Sequence, residues 1–287
     1  MIEARTLVRP AVAKDQHEIA NLMFFEKHVH RHLDWRAPLD WLGAPLYWVL
    51  EENDKVIAVL ACPQDQPQIT WIRLFVHSGK FSSQAVWNAL WDTAKAELEE
   101  RGNTEVAAIT LHGWYQKLLK ESGFSNRQQI IMMSWEQHDL PRQPHAQGIL
   151  IRPMMPDDLP SVAGVDAVAF APIWQNSLSV LKQAYPQAVV ATVAEAEDGI
   201  VGYQISTKSP FGAHLARLAV HPESQSRGIA STLLSDLTTK LVKRGIPRLT
   251  VNTQDDNLAS LALYKKNGFQ RTGEEYPLFT FEISASR

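Results

Sequence analysis

The stretch that decides the fold is Leu218-Ala219-Val220-His221-Pro222-Glu223-Ser224-Gln225-Ser226-Arg227-Gly228-Ile229-Ala230-Ser231 (LAVHPESQSRGIAS). Leu215 to Val220 is apolar and reads as a strand. From Gly228 to Arg244 the apolar residues fall at 229, 230, 233, 234, 237, 241 and 242, the spacing of a helix face. A polar loop joins the two. The first N–H groups of a helix have no partner within it, and the helix dipole adds positive charge there, so this junction is an anion site. Gly228 removes a side chain from the approach of a phosphate, and Ala230 keeps the next turn small. Arg227 offers a guanidinium to the same anion. The plainer reading is an ordinary strand–loop–helix connection that starts its helix on a glycine.

The flanks complete a domain. Upstream, Gly148 to Arg152 reads as a strand. Pro156 to Val168 reads as a helix with acids in its first turn. Ile173 to Ala184 is a second helical stretch, stopped by Pro186. Ala188 to Ala194 and Ile200 to Thr207 are strands joined by the turn signal Asp198-Gly199, and Pro210-Phe211-Gly212 makes the next turn. Downstream, Gly245 suits a helix C-terminus. Arg248 to Asn252 is a strand, and Leu258 to Lys266 is a helix closed by Gly268. Phe269 to Thr272 and Leu278 to Glu282 are the last strands. The class is α/β (α+β mixed sheet), with helices on the faces of the sheet.

Gln225 to Ala230 resembles the Q/R-x-x-G-x-G/A pyrophosphate loop of the GNAT superfamily of CoA-dependent N-acetyltransferases. Asn257-x-x-Ser260-x-x-Leu263-Tyr264, followed by Gly268-Phe269, resembles that family's second signature, N-x-x-A-x-x-L-Y-x-x-x-G-F, with Ser260 where alanine is usual. The resemblance covers nearly all of residues 148–287. It implies acetyl-CoA as co-substrate, without a metal, in a cleft where Leu215–Val220 and Arg248–Asn252 splay apart. Backbone groups of Leu218, Ala219 and Val220 would pair with the pantetheine arm. Gln225, Ser226, Arg227, Gly228, Ile229, Ala230 and Ser231 would hold the pyrophosphate. Asn257 and Tyr264 would complete the cofactor contacts, although Asn257 serves equally as a helix N-cap. Tyr264 matches the family tyrosine that gives a proton to the departing thiolate; its plainer reading is a packed aromatic. The implied reaction is direct attack by a primary amine, on a small molecule or a peptide N-terminus. Glu195, His214, His221 and Glu223 are candidates for the base, each with an equally ordinary loop or turn reading. The competing function is a CoA-binding regulator or interaction protein without turnover.

The chain also repeats itself. Leu7-Val8-Arg9-Pro10 returns as Leu150-Ile151-Arg152-Pro153, and Asp15 returns as Asp158. Lys55-Val56-Ile57-Ala58 matches Asp198-Gly199-Ile200-Val201. Leu74-Phe75-Val76-His77 matches Leu218-Ala219-Val220-His221, and Gly123-Phe124 matches Gly268-Phe269. Matches in one order at a nearly constant offset mark two copies of one domain. The expected organisation is 1–140 and 148–287, with the polar, proline-bearing Glu136 to Gly148 as linker. The first copy lacks the chemistry. Phe81, Gln84 and Val86 stand opposite Gln225, Gly228 and Ala230, while Leu119 and His112 stand opposite Tyr264 and Asn257. It is expected to be a degenerate GNAT-like domain, as in tandem proteins of unequal halves. Trp35, Trp41 and Trp48 are its candidates for an acceptor-binding segment. His28, His30 and His32 would share a side only in a strand. Leu22 to Leu33 reads as helix, so no metal site is expected there.

Composition sets the outer bounds. The 287 residues are 45% hydrophobic and 21% charged, with a net charge of −3. No basic excess supports binding to nucleic acid or a membrane surface. The single cysteine, Cys62, excludes an internal disulfide. No apolar run approaches the ~18 residues of a membrane span. The first residues lack the apolar core of a signal peptide, so a cytoplasmic protein is expected.

Overall fold

The computed structural model describes residues 6–66, 68–102, 104–136, 146–209 and 211–284. The expected linker falls largely on 137–145, and the expected turn at Pro210 on residue 210; both lie outside the described residues. The chain forms two compact units, Met1–Gln128 with Tyr276–Arg287, and Gln129–Glu275.

The first unit runs β1 (Thr6–Pro10), α1 (Gln16–Phe25), β2 (His28–Arg31), β3 (Tyr47–Glu52), β4 (Lys55–Ala61), β5 (Gln64–Gln66), β6 (Ile69–Trp71), β7 (Leu74–His77), α2 (Ser83–Arg101), β8 (Thr104–Ile109) and α3 (Gly113–Glu121). β9 (Ser125–Glu136) leads into the second unit. That unit continues with β10 (Leu150–Pro153), α4 (Leu159–Ala169), α5 (Leu178–Ala184), β11 (Ala188–Ala196), β12 (Gly199–Ser209), β13 (Gly212–Val220), α6 (Ile229–Lys243), β14 (Arg248–Gln254), α7 (Leu258–Lys266) and β15 (Gln270–Ile283).

In the first unit one sheet has the order β1-β3-β4-β7-β2. Beside it, β8 pairs parallel with β6 and antiparallel with residues 278–283 of β15. In the second unit the order is β10-β11-β12-β13-β14-β9-β15. Each unit therefore takes its closing strand from the other sequence copy. Residues 130–136 of β9 pair with β14, and the end of β15 pairs with β8. The repeated glycines mark the joins. A Cβ on Gly123 would stand 3.4 Å from the Phe281 ring, and one on Gly268 3.4 Å from Trp135. Both glycines have φ near +87°, which L side chains rarely adopt. The boundary between sequence copies and the boundary between units thus do not coincide.

The repeat is also written in ion pairs. Arg9 bonds Asp15 and Glu51, each at 2.7 Å. Arg152 bonds Asp158 and Glu195, again each at 2.7 Å. In both copies the arginine ties the copy's first strand to the strand paired with it, β3 or β11, and to the turn that starts the first helix. The core of the first unit gathers Phe75, Trp87, Leu90 and Tyr115 between sheet and helices. That of the second gathers Leu215, Leu234, Leu237, Leu249 and Val251.

Three local expectations are corrected. His28–Arg31 is a strand, not part of a helix, because its backbone completes the edge of β7. The helix expected over Ile173 to Ala184 breaks into a turn at Pro172–Trp174 and α5, whose N-cap Ser177 accepts from the Val180 N–H. The two last strands are one, β15, which contains Gly273 at φ +90°. Trp48 lies in β3 with 3% of its surface exposed, inside the core rather than on a binding segment. Trp41 is buried too, beneath the Arg36 guanidinium.

Candidate active site

The site is built on β13. Its antiparallel ladder with β12 sets Gly202 opposite Val220, Tyr203 opposite Ala219 and Ile205 opposite Arg217, while Ser206 stands opposite Leu215. Ala216 is therefore a one-residue bulge. On the other edge, parallel pairing with β14 covers Ala213–Leu249, His214–Thr250 and Leu215–Val251, and stops there. β14 stays paired with β9 over its whole length. The strands thus part at the bulge, and beyond it β13 has no strand paired on that edge among the described residues.

Ladder phase decides which groups face the gap. The His221 N–H donates to the Val201 carbonyl. Alternation along an antiparallel pair then makes Tyr203–Ala219 a hydrogen-bonded pair and turns the N–H and C=O of Leu218 and Val220 to the open edge. Ala219, expected to offer its backbone, spends it on β12. The Gln225 side chain donates to the Val220 carbonyl at 3.1 Å.

The loop then turns into α6. Ser226 has φ +60° and Gly228 φ +81°, and α6 starts at Ile229. A Cβ on Gly228 would meet nothing within 4 Å. The glycine is required by its left-handed backbone, and the space before the helix is open rather than tight. No side chain caps α6, and its first turn holds no acid. Gln225, Ser226 and Arg227 are exposed. Ile229 is buried and anchors the turn. Ser231 accepts a hydrogen bond from the Asn267 side chain at 3.3 Å, tying the first turn of α6 to the end of α7. Free amides, positive dipole end and an exposed arginine suit a pyrophosphate.

Tyr264 projects from α7 into the core, 5% exposed, against Phe269. Its hydroxyl has no hydrogen-bond partner among the described residues. Burial pushes the phenol well above its usual range, and the Arg217 charge works against that shift. Asn257 caps α7 by accepting from the Ser260 N–H at 3.0 Å.

The candidate bases are scattered. Glu195 is held below the usual carboxylate range by its bond to Arg152 and belongs to the repeated ion triad. His221 caps the turn at Pro222–Ser224, accepting from the Glu223 N–H. His214 bonds Thr250 at 2.9 Å across the paired part of the strands, and burial lowers its pKa. Among the described residues, no group of three or more His, Cys, Asp or Glu is placed to hold a metal ion.

Sequence reasoning missed one cluster. Asp166 on α4 is fully buried and accepts from Arg217 Nε at 2.7 Å and Nη2 at 2.8 Å, from the Tyr203 hydroxyl and from the Asn176 N–H. Arg217 also donates to the Trp174 carbonyl and lies 3.5 Å over the Phe170 ring. The legible signal was an aspartate inside the apolar run Val162 to Phe170.

The first unit treats the same edge differently. The two-residue hairpins put Glu52 opposite Lys55 and Ala196 opposite Gly199. Ala58 is then the counterpart of Gly202, and the partners across the next ladder, His77 and Val220, correspond. The sequence match had set His77 against His221, one residue out of step. By the ladder, Phe75 and His77 answer to Leu218 and Val220. Both are paired to β2, Phe75 with His30 and His77 with His28. What is an open edge in the second unit is closed by a strand in the first.

Residues 160–269 match the model of the acetyltransferase (GNAT) family. The chain thus carries a GNAT-family domain in its second copy, and its full length has the fold of tandem GNAT proteins. It is similar in structure to a GCN5-related N-acetyltransferase from Sphaerobacter thermophilus, with a TM-score of 0.67 and 18% identity, over 100% of this chain and 98% of that one. It is also similar to a tandem GNAT protein from the clavulanic acid biosynthesis pathway, with a TM-score of 0.66 and 15% identity, over 99% of this chain and 100% of that one. No helix of the described residues is long and apolar enough to cross a membrane.

Proposed function

We propose that the second copy, within 148–287, moves an acetyl group from acetyl-CoA to a primary amine by direct attack, and that the first copy is a degenerate partner. The observation that carries this is the open edge of β13 beside the uncapped start of α6. Acetyl-CoA, when bound, supplies an acetyl group activated as a thioester. The amides of Arg227 to Ser231, with the Arg227 guanidinium, hold its pyrophosphate. The outward groups of Leu218 and Val220 hold the pantetheine as a strand would, once Gln225 releases the Val220 carbonyl. Asn257 sits beside this path as cap of α7.

Tyr264 keeps its phenolic proton because burial disfavours the phenolate. It gives that proton to the sulfur as the thiolate leaves, and the proton that the attacking nitrogen sheds on becoming an amide restores the phenol. The acceptor is a small-molecule amine or a peptide N-terminus. Calorimetry with acetyl-CoA on the wild type and on Gly228→Trp tests the assignment. A wild type that does not bind acetyl-CoA rejects it, as does Gly228→Trp binding unchanged.

A further inference from the structure

Arg217 stands two residues past the last paired position of β13 and β14, immediately after the bulge. Its Nε and Nη2 donate to Asp166, Nη2 also to the Trp174 carbonyl, and the guanidinium lies on the face of Phe170. Each oxygen of Asp166 accepts twice, from Arg217 and Tyr203 on one side and from Arg217 and Asn176 on the other. All four acceptor positions of the Asp166 carboxylate are filled, so it has one arrangement and resists any other.

A well-packed apolar replacement for such a pair is often as stable or more stable. Stability alone therefore gives little reason for an ion pair here. What the pair does supply is direction. Asp166 belongs to α4, Phe170 and Trp174 follow it, and Asn176 leads into α5. One side chain from β13 pins this connection where the strands part. The guanidinium has no donor left for a substrate carboxylate on the Asp166 side.

We propose that Arg217 is a positioning residue for the acceptor amine: with Asp166 it fixes the 170–176 connection as the acceptor-side wall of the cleft. This rests on the transfer reaction proposed above. Removing the guanidinium leaves the α6 loop and the outward groups of Leu218 and Val220 in place. The acceptor should suffer and the cofactor should not.

The test compares wild type, Arg217→Lys and the double variant Arg217→Met/Asp166→Leu. The lysine keeps the charge but loses the paired bonds and the stack on Phe170. The double variant removes the ions together and guards against a single variant that fails to fold. The probe is a panel of primary amines comprising amino acids, aminosugars, polyamines and short peptides, assayed by thiol release from acetyl-CoA, with the best amine used for full kinetics. The expected result is an acceptor KM raised roughly tenfold or more in both variants, since small misplacements at a reacting centre are costly. The acetyl-CoA Kd should stay within about twofold. Unchanged acceptor KM in a folded variant overturns the proposal, as does an acetyl-CoA Kd that rises in step with the KM. A wild type that binds acetyl-CoA but turns over none of the amines overturns the transfer reading itself.

Discussion

His30 of β2 and Phe75 of β7 form a hydrogen-bonded pair in the first unit, and Phe75 is the ladder counterpart of Leu218 in the second. His32 N–H to the Arg73 carbonyl continues the series at 3.0 Å. The edge proposed to hold pantetheine in the second unit is thus already hydrogen-bonded to the chain's own backbone in the first. A ligand entering there would have to displace a strand whose His28 and His30 side chains are themselves stacked on His77 and Tyr115. Calorimetry is expected to count one acetyl-CoA per chain. Two would show that β2 yields its place.

Tyr264→Phe isolates the acid. The ring stays in its packing against Phe269, and the lost hydroxyl has no partner among the described residues, so stability should change little. Turnover should fall by about 10²–10⁴-fold, the usual worth of a general acid or base. The acetyl-CoA Kd should stay within roughly twofold, because the loop and the strand edge are untouched. Equal turnover in the two proteins would show that Tyr264 is not the acid.

Glu195→Gln separates a structural carboxylate from a base. Glu195 lies at the β10–β11 end of the ion triad, and its counterpart Glu51 makes the same bond in the copy that lacks the loop motif. Acetyl transfer should continue within about twofold, since a positioned base would be worth at least 10²-fold. A loss of that size would restore Glu195 as the base.

The ion triads explain why so much of the fold could be read. Arg9, Asp15, Arg152 and Asp158 hold local motifs, a strand and the turn six residues later, so their spacing survives in sequence. The hairpin signalled by Asp198-Gly199, which turns at 197–198 with Gly199 already in β12, and the periodic face of α6 are local in the same sense. β2 was not legible, because Leu22 to Leu33 has helical spacing and becomes strand only where β7 offers an unpaired edge. That is a tertiary effect on a segment of weak local preference. The phase of β13 was hidden as well. The resemblance offered Leu218, Ala219 and Val220 alike; the bulge at Ala216 sets the ladder so that Leu218 and Val220, and not Ala219, turn their groups to the gap. The partner of Asp166 was out of reach for a similar reason, since Arg217 lies 51 residues away along the chain.

Breaking the triads should show in acid. Asp15 and Asp158 are held below their usual values chiefly by the bonds from Arg9 and Arg152. Carboxylates lowered in the folded state add stability that is present above about pH 4 and lost as pH falls below it. Arg9→Ala leaves Asp15, 4% exposed, without its cation. It should cost about 2 kcal/mol or more at neutral pH and move acid unfolding to higher pH. Arg152→Ala should do the same more weakly, because Asp158 and Glu195 are more exposed. Urea midpoints followed from pH 7 down to pH 3 measure both. An unchanged acid limb in Arg9→Ala would show that the triad does not govern it.

The buried histidines around the β2–β7 pairing act in the same direction, at higher pH. His30 is buried, donates from Nε2 to the Ile72 carbonyl at 3.1 Å and stacks on Tyr115. Burial is the main cause that lowers its pKa to about 4, with the charge of His112 adding to it and the bond to Ile72 opposing it. His32 is lowered by burial and by Arg73, and His77 mainly by burial. In the unfolded chain each titrates near 6.5, so between that value and the folded one the unfolded state binds more protons. Stability is then full above about pH 6.5 and is lost as pH falls toward 4. For His30 alone the loss between pH 7 and pH 5 should be about 2 kcal/mol. His30→Gln keeps a donor for the Ile72 carbonyl and cannot titrate, so it should flatten this part of the profile while lowering stability at pH 7. Urea midpoints of wild type and variant at the two pH values decide it: the same pH dependence in both would mean that β2 is not what holds His30 neutral.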